Sequence, residues 1–310
     1  MDGKSKKFTL NLKDNFIEKF GANLNENINL SNYSWFNLGG NAEFFYKANN
    51  KKQLIEFLRE AKKKNLKITI LGAGSNILFR DNGVKGAVIK LGPDFSYTNL
   101  IDKNILDVGA ATLDRIVSNF AKDKSLKNLE FLSCIPGSIG GAIIMNSGCY
   151  ENDISKVLLS INAIDIKSLS EIEIKKEEIN FSYRGTNLPE NLIIISAKLR
   201  GTLGQKEEIE KKQLELIQRK KLSQPNRIKT CGSTFKNLDK NKKAWMLIKE
   251  AGCTNYREGD AMISQKHCNF FVNNGNAKSS DIENLIKKVK NKVKEKTGVN
   301  LELEIKIIGD

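Results

Sequence analysis

Histidine occurs once in the 310-residue chain, at His267, and proline four times. A lone histidine outside any motif leaves no base to activate a serine, so a hydrolase-type triad is excluded. The cysteines are Cys134, Cys149, Cys231, Cys253 and Cys268. Their number is odd and none forms a C-x-x-C pair. This argues against a disulfide framework and a zinc site, and for a reducing compartment. No apolar run approaches the roughly 20 residues that span a bilayer. The start, Met1–Lys7, is charged with no apolar stretch behind it, so no secretory signal is expected. The sequence reads as cytoplasmic, without membrane insertion, metal, repeats or low-complexity tails.

What is present is enough apolar residue, 40%, to build cores, and a length suited to about two domains. The formal net charge is +15 and mostly lysine. Such a balance suits nucleic acid, anionic membrane or anionic small molecules. The lysines are spread along the chain, with no aromatic-and-basic interleaving of the kind that stacks bases. A solvated basic surface is the simpler account, and a nucleic-acid-binding protein stands as the alternative from another class.

Periodicity gives an α+β order. Ala42–Tyr46, Lys67–Leu71, Ala87–Leu91, Ile105–Val108, Val157–Ile166, Ile172–Ile174 and Leu192–Leu199 read as strands. Lys51–Lys64 and Thr112–Lys124 read as helices. The first has an apolar stripe of Leu54, Phe57, Leu58 and Ala61, and Asn50 with Gln53 as a capping box. Strands and helices alternate too irregularly for a doubly wound sheet. Lys206–Leu222 is a charged helical connector. Beyond it come helices at Lys242–Glu250 and from Ser280, the latter with Glu283 closing a capping box, a strand at Asn269–Asn273, and a last strand, Leu301–Ile308.

Two glycine-rich loops carry the chemistry. Gly72, Ala73, Gly74, Ser75 and Asn76 follow a strand, as in a nucleotide-binding turn. A Rossmann fingerprint needs a third glycine near position 77 and a helix next; position 77 is Ile, and Phe79–Gly83 reads as a turn. The second loop runs through Ile135, Pro136, Gly137, Ser138, Gly140, Gly141 and Ala142, followed by Asn146. Its bare amides suit a diphosphate or an isoalloxazine edge. Each loop alone reads equally as a tight turn. Arg184, beside Tyr183, is of a type that grips a carboxylate in a fork. Ser233 follows a glycine and reads as a proton donor or a turn former. Glu302 and Glu304 fall on one face of the last strand.

In order and spacing, these segments resemble the UDP-N-acetylenolpyruvoylglucosamine reductase family. The likeness runs from about Asn32 to Gly309 and includes Gly232-Ser-Thr-Phe-Lys-Asn237, Ser264-Gln-Lys-His-Cys-Asn-Phe270 and Glu304-Ile-Lys-Ile-Ile-Gly309. The resemblance implies an N-terminal segment (1–35) and a vanillyl-alcohol-oxidase (PCMH)-type FAD-binding domain (36–201). A smaller α/β substrate-binding domain (202–298) and a C-terminal strand with the catalytic glutamate (299–310) follow. The few residues between Tyr183-Arg-Gly185 and the next strand match the family's shorter branch. It further implies non-covalent FAD on the two glycine loops, and NADPH as reductant. The substrate would be UDP-N-acetylglucosamine enolpyruvate, in peptidoglycan precursor synthesis and so in cell-wall biogenesis, shape and division. By match to the family motif, Arg184 would hold the enolpyruvyl carboxylate, Ser233 would deliver the proton, and Glu304 would complete the pocket in its protonated form. Tyr183, Lys266 and Asn269 would contact substrate. The chain departs from the family pattern at Cys134 (usually glycine), Ser147 and Cys149 (alanine), Glu151 (glycine) and Leu238 (proline). Another oxidoreductase on the same FAD fold is the alternative within the class.

Overall fold

The computed structural model describes residues 16–239 and 241–310; the charged start Met1–Lys7 lies outside them. The main elements begin with β1 (Leu24–Asn29), β2 (Asn41–Ala48), α1 (Lys51–Lys63), β3 (Ile68–Leu71), β4 (Ile77–Phe79) and β5 (Val84–Leu91). Next come β6 (Thr98–Asp102), β7 (Ile105–Gly109), α2 (Asp114–Asp123), α3 (Ile139–Ile144), β8 (Leu158–Asp165), β9 (Glu171–Lys175) and β10 (Leu192–Arg200). The chain continues through α4 (Lys206–Ser223), α5 (Ala244–Glu250), β11 (Arg257–Glu258), β12 (Ala261–Ile263), β13 (Phe271–Asn273), α6 (Ser279–Thr297) and β14 (Lys306–Ile308).

The first unit holds two sheets. One has the order β1-β2-β5-β3, with β5 parallel to both neighbours. A parallel strand covered on both faces reads as a continuous apolar run, and Ala87, Val88 and Ile89 are fully buried. The four stripe residues of α1 are buried, and Phe57 stacks on Tyr46 of β2 at 3.9 Å between ring centroids. Asn50 caps α1 by accepting from the Gln53 amide at 2.9 Å; the Gln53 side chain accepts from Asn49, not Asn50, so the box closes one residue early. The other sheet is antiparallel, in the order β9-β8-β10-β7-β6, and packs on α2 and α3.

The charged helix α4 lies against the first unit rather than hanging between units. Its Ile209 and Leu216 are buried, and Gln213 donates to the carbonyl and hydroxyl of Ser118 on α2 at 3.0 and 2.7 Å. The second unit is an antiparallel β11-β12-β13 sheet packed in one core with α5 and α6. Ile282, Leu285, Ile286, Val289 and Val293 of α6 are buried as their spacing predicts. That core also takes in Phe36, Leu38 and Leu78, so the two units share apolar interior.

Three local readings change. The capping box at Ser280 and Glu283 does not form. The carboxylate of Asp81, far away in sequence, accepts from the Ser279 and Ser280 amides at 2.8 and 2.9 Å, while Glu283 takes a fork from Arg80 at 3.0 and 3.1 Å. Residues Ile77–Phe79 form β4, and the turn begins only at Asp81. β4 has one partner, β14, paired parallel from Lys306↔Ile77 to Ile308↔Phe79. Finally, Leu301–Ile308 is a strand only over β14. Leu301 and Ile305 turn into the core and Leu303 bridges Phe235. Leu301, Leu303 and Ile305 all pack on the core, so Glu302 and Glu304 share the opposite face as alternation predicts. Glu302 is 78% exposed beside Lys236, whereas the Glu304 side chain, paired with Arg184, is 14% exposed.

Candidate active site

The two glycine loops meet in the wall of a cleft of about 1680 Å³. The loop after β3 is held against its own protein. Gly74 sits at φ +69°, where a Cβ would lie 1.8 Å from the Tyr33 carbonyl oxygen, and its carbonyl accepts from Trp35 at 3.0 Å. Lys90 of β5 donates to the Gly72 carbonyl at 2.8 Å, and burial holds its ammonium below the usual lysine range. The second loop leaves the turn Glu130–Cys134 and enters α3 at Ser138. Lys220 of α4 donates to the Cys134 carbonyl at 2.6 Å, and burial lowers it too. The loops touch: a Cβ on Gly72 would meet Ser138 Oγ at 3.1 Å, and one on Gly137 would meet Ser75 Oγ at 3.7 Å. Gly141 differs, because a Cβ there would find only Ser138 Oγ at 4.0 Å. Nothing in the protein fills that space.

Asp114, at the start of α2, lies beneath the second loop. A Cβ on Gly137 would fall 2.8 Å from its Oδ2, and its amide donates to the Gly137 carbonyl at 3.1 Å. Both carboxyl oxygens are buried without a hydrogen-bond partner, and burial pushes the acid well above the usual carboxylate range. A neutral acid leaves the cradle without negative charge. Bare amides, two half-buried ammonium groups and a carboxyl whose ionisation burial opposes form a donor-rich cradle that fits an anionic dinucleotide. The sequence signal at Asp114 points elsewhere, since an aspartate in a first helical turn is ordinarily an exposed dipole partner.

Across the cleft, Phe181–Ser182 pairs with Gly185–Thr186 and puts Arg184 at a hairpin tip, at φ +59°. Its Nε donates to Glu304 Oε1 at 2.6 Å. Burial works against the Arg184 charge, but Glu304 beside it holds the guanidinium protonated. For Glu304 burial outweighs Arg184, and its acid is raised above the usual glutamate value. Both shifts describe a desolvated pair in which burial and mutual attraction oppose each other. The Arg184 guanidinium lies 5.0 Å from the Tyr183 ring, and the Tyr183 hydroxyl accepts from Asn237 at 3.2 Å. Ser233 follows Gly232 (φ +81°) and bridges Phe270 at the cleft wall.

Several expected ligands are occupied by the protein itself. Asn146 donates to the Ser182 carbonyl and accepts from the Ser155 amide, both at 3.1 Å. It braces the Arg184 hairpin and does not line the cleft. The Asn76 amide donates to the Glu304 carbonyl at 3.0 Å, and the Asn76 carbonyl accepts from Lys306 at 2.9 Å, so the first loop grips the C-terminal strand. Asn269 accepts from the Phe235 amide and donates to its carbonyl, at 3.0 and 2.8 Å, which fixes the segment carrying Ser233. Lys266 donates to the Lys221 carbonyl at 2.6 Å and is not in the cleft wall. Asn269 lines the cleft and Lys266 does not. Arg219, stacked 4.6 Å from the Tyr150 ring, Arg227 and Lys243 line the cleft although no motif announced them, as does Lys306 of the last quoted segment. No group of three potential metal ligands occurs among the described residues. No helix among them is long and apolar enough to cross a membrane.

Known proteins align with both halves. A family model described as the C-terminal domain of UDP-N-acetylenolpyruvoylglucosamine reductase matches residues 224–308, and one described as an FAD binding domain matches residues 42–167. The UDP-N-acetylenolpyruvoylglucosamine reductase of Pelagibacter ubique is 44% identical over 295 residues, covering 94% of this chain and 97% of that protein. That of Rickettsia canadensis is 43% identical, covering 91% and 94%. The crystal structure of the enzyme from Thermus caldophilus superposes with a TM-score of 0.79 at 32% identity, over 91% of this chain and 98% of that one. Given this agreement along both units, the chain belongs to the UDP-N-acetylenolpyruvoylglucosamine reductase family, with an FAD-binding domain followed by the reductase C-terminal domain.

Proposed function

We propose that the protein reduces the enolpyruvyl ether of UDP-N-acetylglucosamine to UDP-N-acetylmuramate with NADPH, a cytoplasmic step of peptidoglycan precursor synthesis. The flavin-holding unit is residues 36–201 with α4 docked on it, and the substrate unit follows from Gln224. The observation that carries the reading is the half-buried Arg184–Glu304 pair, 2.6 Å apart, on the cleft wall that also bears Ser233. When bound, FAD supplies the hydride that ends on the enolpyruvyl methylene carbon. Arg184 holds the substrate carboxylate and counters the charge that develops on the carbon beside it. Glu304, raised by burial, stands protonated against that carboxylate, because two facing carboxylates cannot both ionise cheaply. Ser233 Oγ gives its proton to the same carbon. The glycine loops bind the dinucleotide through backbone amides at Gly72–Ser75 and Gly137–Ala142. The lysines and arginines of the cleft draw in the anionic ligands.

The purified protein should be yellow, bleach with NADPH, and regain colour on adding the enolpyruvyl UDP-sugar. Ser233→Ala should bleach normally yet recover colour slower by about 10²–10³. Recovery at the wild-type rate would remove Ser233 from the mechanism.

A further inference from the structure

The chain has two tryptophans, Trp35 and Trp245, and both line the cleft. Trp245 is half-buried on α5, whereas Trp35 is 49% exposed. An indole is large enough that a fold ordinarily covers most of it. The backbone around Trp35 is nonetheless clamped. The Ser34 hydroxyl donates to the Ile77 carbonyl at 2.7 Å, and the Trp35 amide donates to the Gly74 carbonyl at 3.0 Å. Phe36 is fully buried in the core of the second unit, and its carbonyl accepts from the Asn273 side chain at 3.0 Å. These contacts hold the Trp35 backbone in one place on the cleft wall, next to the first glycine loop. Among the described residues no ring or cation stacks on the indole. A rigidly held aromatic face without a protein partner is the preorganised half of a stacking contact.

We propose that Trp35 is the platform on which the base of a bound nucleoside diphosphate stacks while its phosphates lie on the first glycine loop. The proposal rests on the reading of that loop as a phosphate cradle. The surroundings select the ligand class. Backbone amides at Gly72–Ser75 and the cations Arg227 and Lys306 on the same wall suit phosphate, and the indole suits a flat ring. A nucleotide joins the two through one sugar, so both features are used at once. Two ligands of the proposed reaction carry such a base: FAD has adenine, and the UDP-sugar has uracil. Stacking needs only a π face and tolerates either base.

The test compares the full chain with Trp35→Ala and Trp35→Phe. Dissociation constants are measured for FAD and for FMN, which carries the same isoalloxazine but no base, and for UDP on the flavin-loaded protein. Trp35→Ala should lose roughly tenfold in affinity for FAD or for UDP and keep its affinity for FMN. Loss for FAD assigns adenine to the platform, and loss for UDP assigns uracil. Trp35→Phe keeps a ring and should recover most of the affinity. Unchanged binding of both FAD and UDP would overturn the proposal. So would an equal loss for FMN, which marks a damaged loop, or a phenylalanine variant as weak as the alanine one. Should Trp35→Ala not fold, Trp245→Phe leaves Trp35 as the sole tryptophan. Its emission should then change when UDP joins the flavin-loaded protein or when FMN replaces FAD; no change in either case overturns the proposal. A wild-type chain that binds no FAD would instead defeat the reductase reading, so the two failures are distinct.

Discussion

The two glycine loops resemble each other in composition and differ in what their glycines are for. In the loop after β3 the missing side chain makes room for the protein: Gly74 is left-handed and its absent Cβ is displaced by the Tyr33 carbonyl. In the loop entering α3, Gly141 has ordinary helical backbone and no protein atom claims its space. Gly74 is therefore a structural joint in a loop that also faces the cleft, whereas Gly141 opens onto space that no described residue fills. Each loop is anchored by one half-buried lysine, Lys90 or Lys220, through a main-chain carbonyl. Beneath only the second lies an unpaired acid, Asp114.

Substitution can break this contrast. Gly74→Ala should be the most damaging, at about 3–5 kcal/mol, because it combines left-handed strain with a backbone collision. Its test is urea unfolding, or the yield of folded protein; near-normal stability would mean the first loop is not a joint. Gly141→Ala should leave the melting temperature level or slightly higher, since alanine favours helix by about 1 kcal/mol. Flavin affinity should nonetheless fall by roughly tenfold, about 1.4 kcal/mol. A Gly141→Ala protein that purifies with full flavin would erase the distinction between the loops.

The smallest effect concerns Asp114. Its folded state holds a proton that the unfolded chain releases at ordinary carboxylate pH, so folding takes up a proton between those values. Stability accordingly falls as pH rises from the unfolded carboxylate range toward the folded one. Asp114→Asn, neutral in both states, should flatten that slope and gain about 1 kcal/mol near pH 7 by removing an unpaired buried acid. Urea titrations from pH 4 to 8 on both proteins decide it; parallel slopes would mean that Asp114 is charged in the fold.

Much of this was legible in the sequence where the signal was local. The apolar stripes of α1 and α6 gave their helices, and Ile77 in place of a glycine correctly excluded a Rossmann turn, because β4 and not a helix follows. Arg184, Ser233 and Glu304 emerged from a resemblance, and all three lie on one cleft. What stayed hidden depends on contacts far apart in the chain. Asp81 replaces the cap that Ser280 and Glu283 promise. Asn76, Asn146 and Asn269 brace backbone far from them in sequence, which composition does not reveal. Alternation puts Glu302 and Glu304 on one face, opposite Leu301, Leu303 and Ile305, but only the fold brings Arg184 over Glu304 and leaves Glu302 exposed.

The pairing of β14 with β4 also sets a schedule. Asn76 and the Glu304 carbonyl it holds are separated by 228 residues of synthesis. A chain emerging from the ribosome has both glycine loops long before it has the strand that brings Glu304 to Arg184. The reducing centre closes only when the last strand docks.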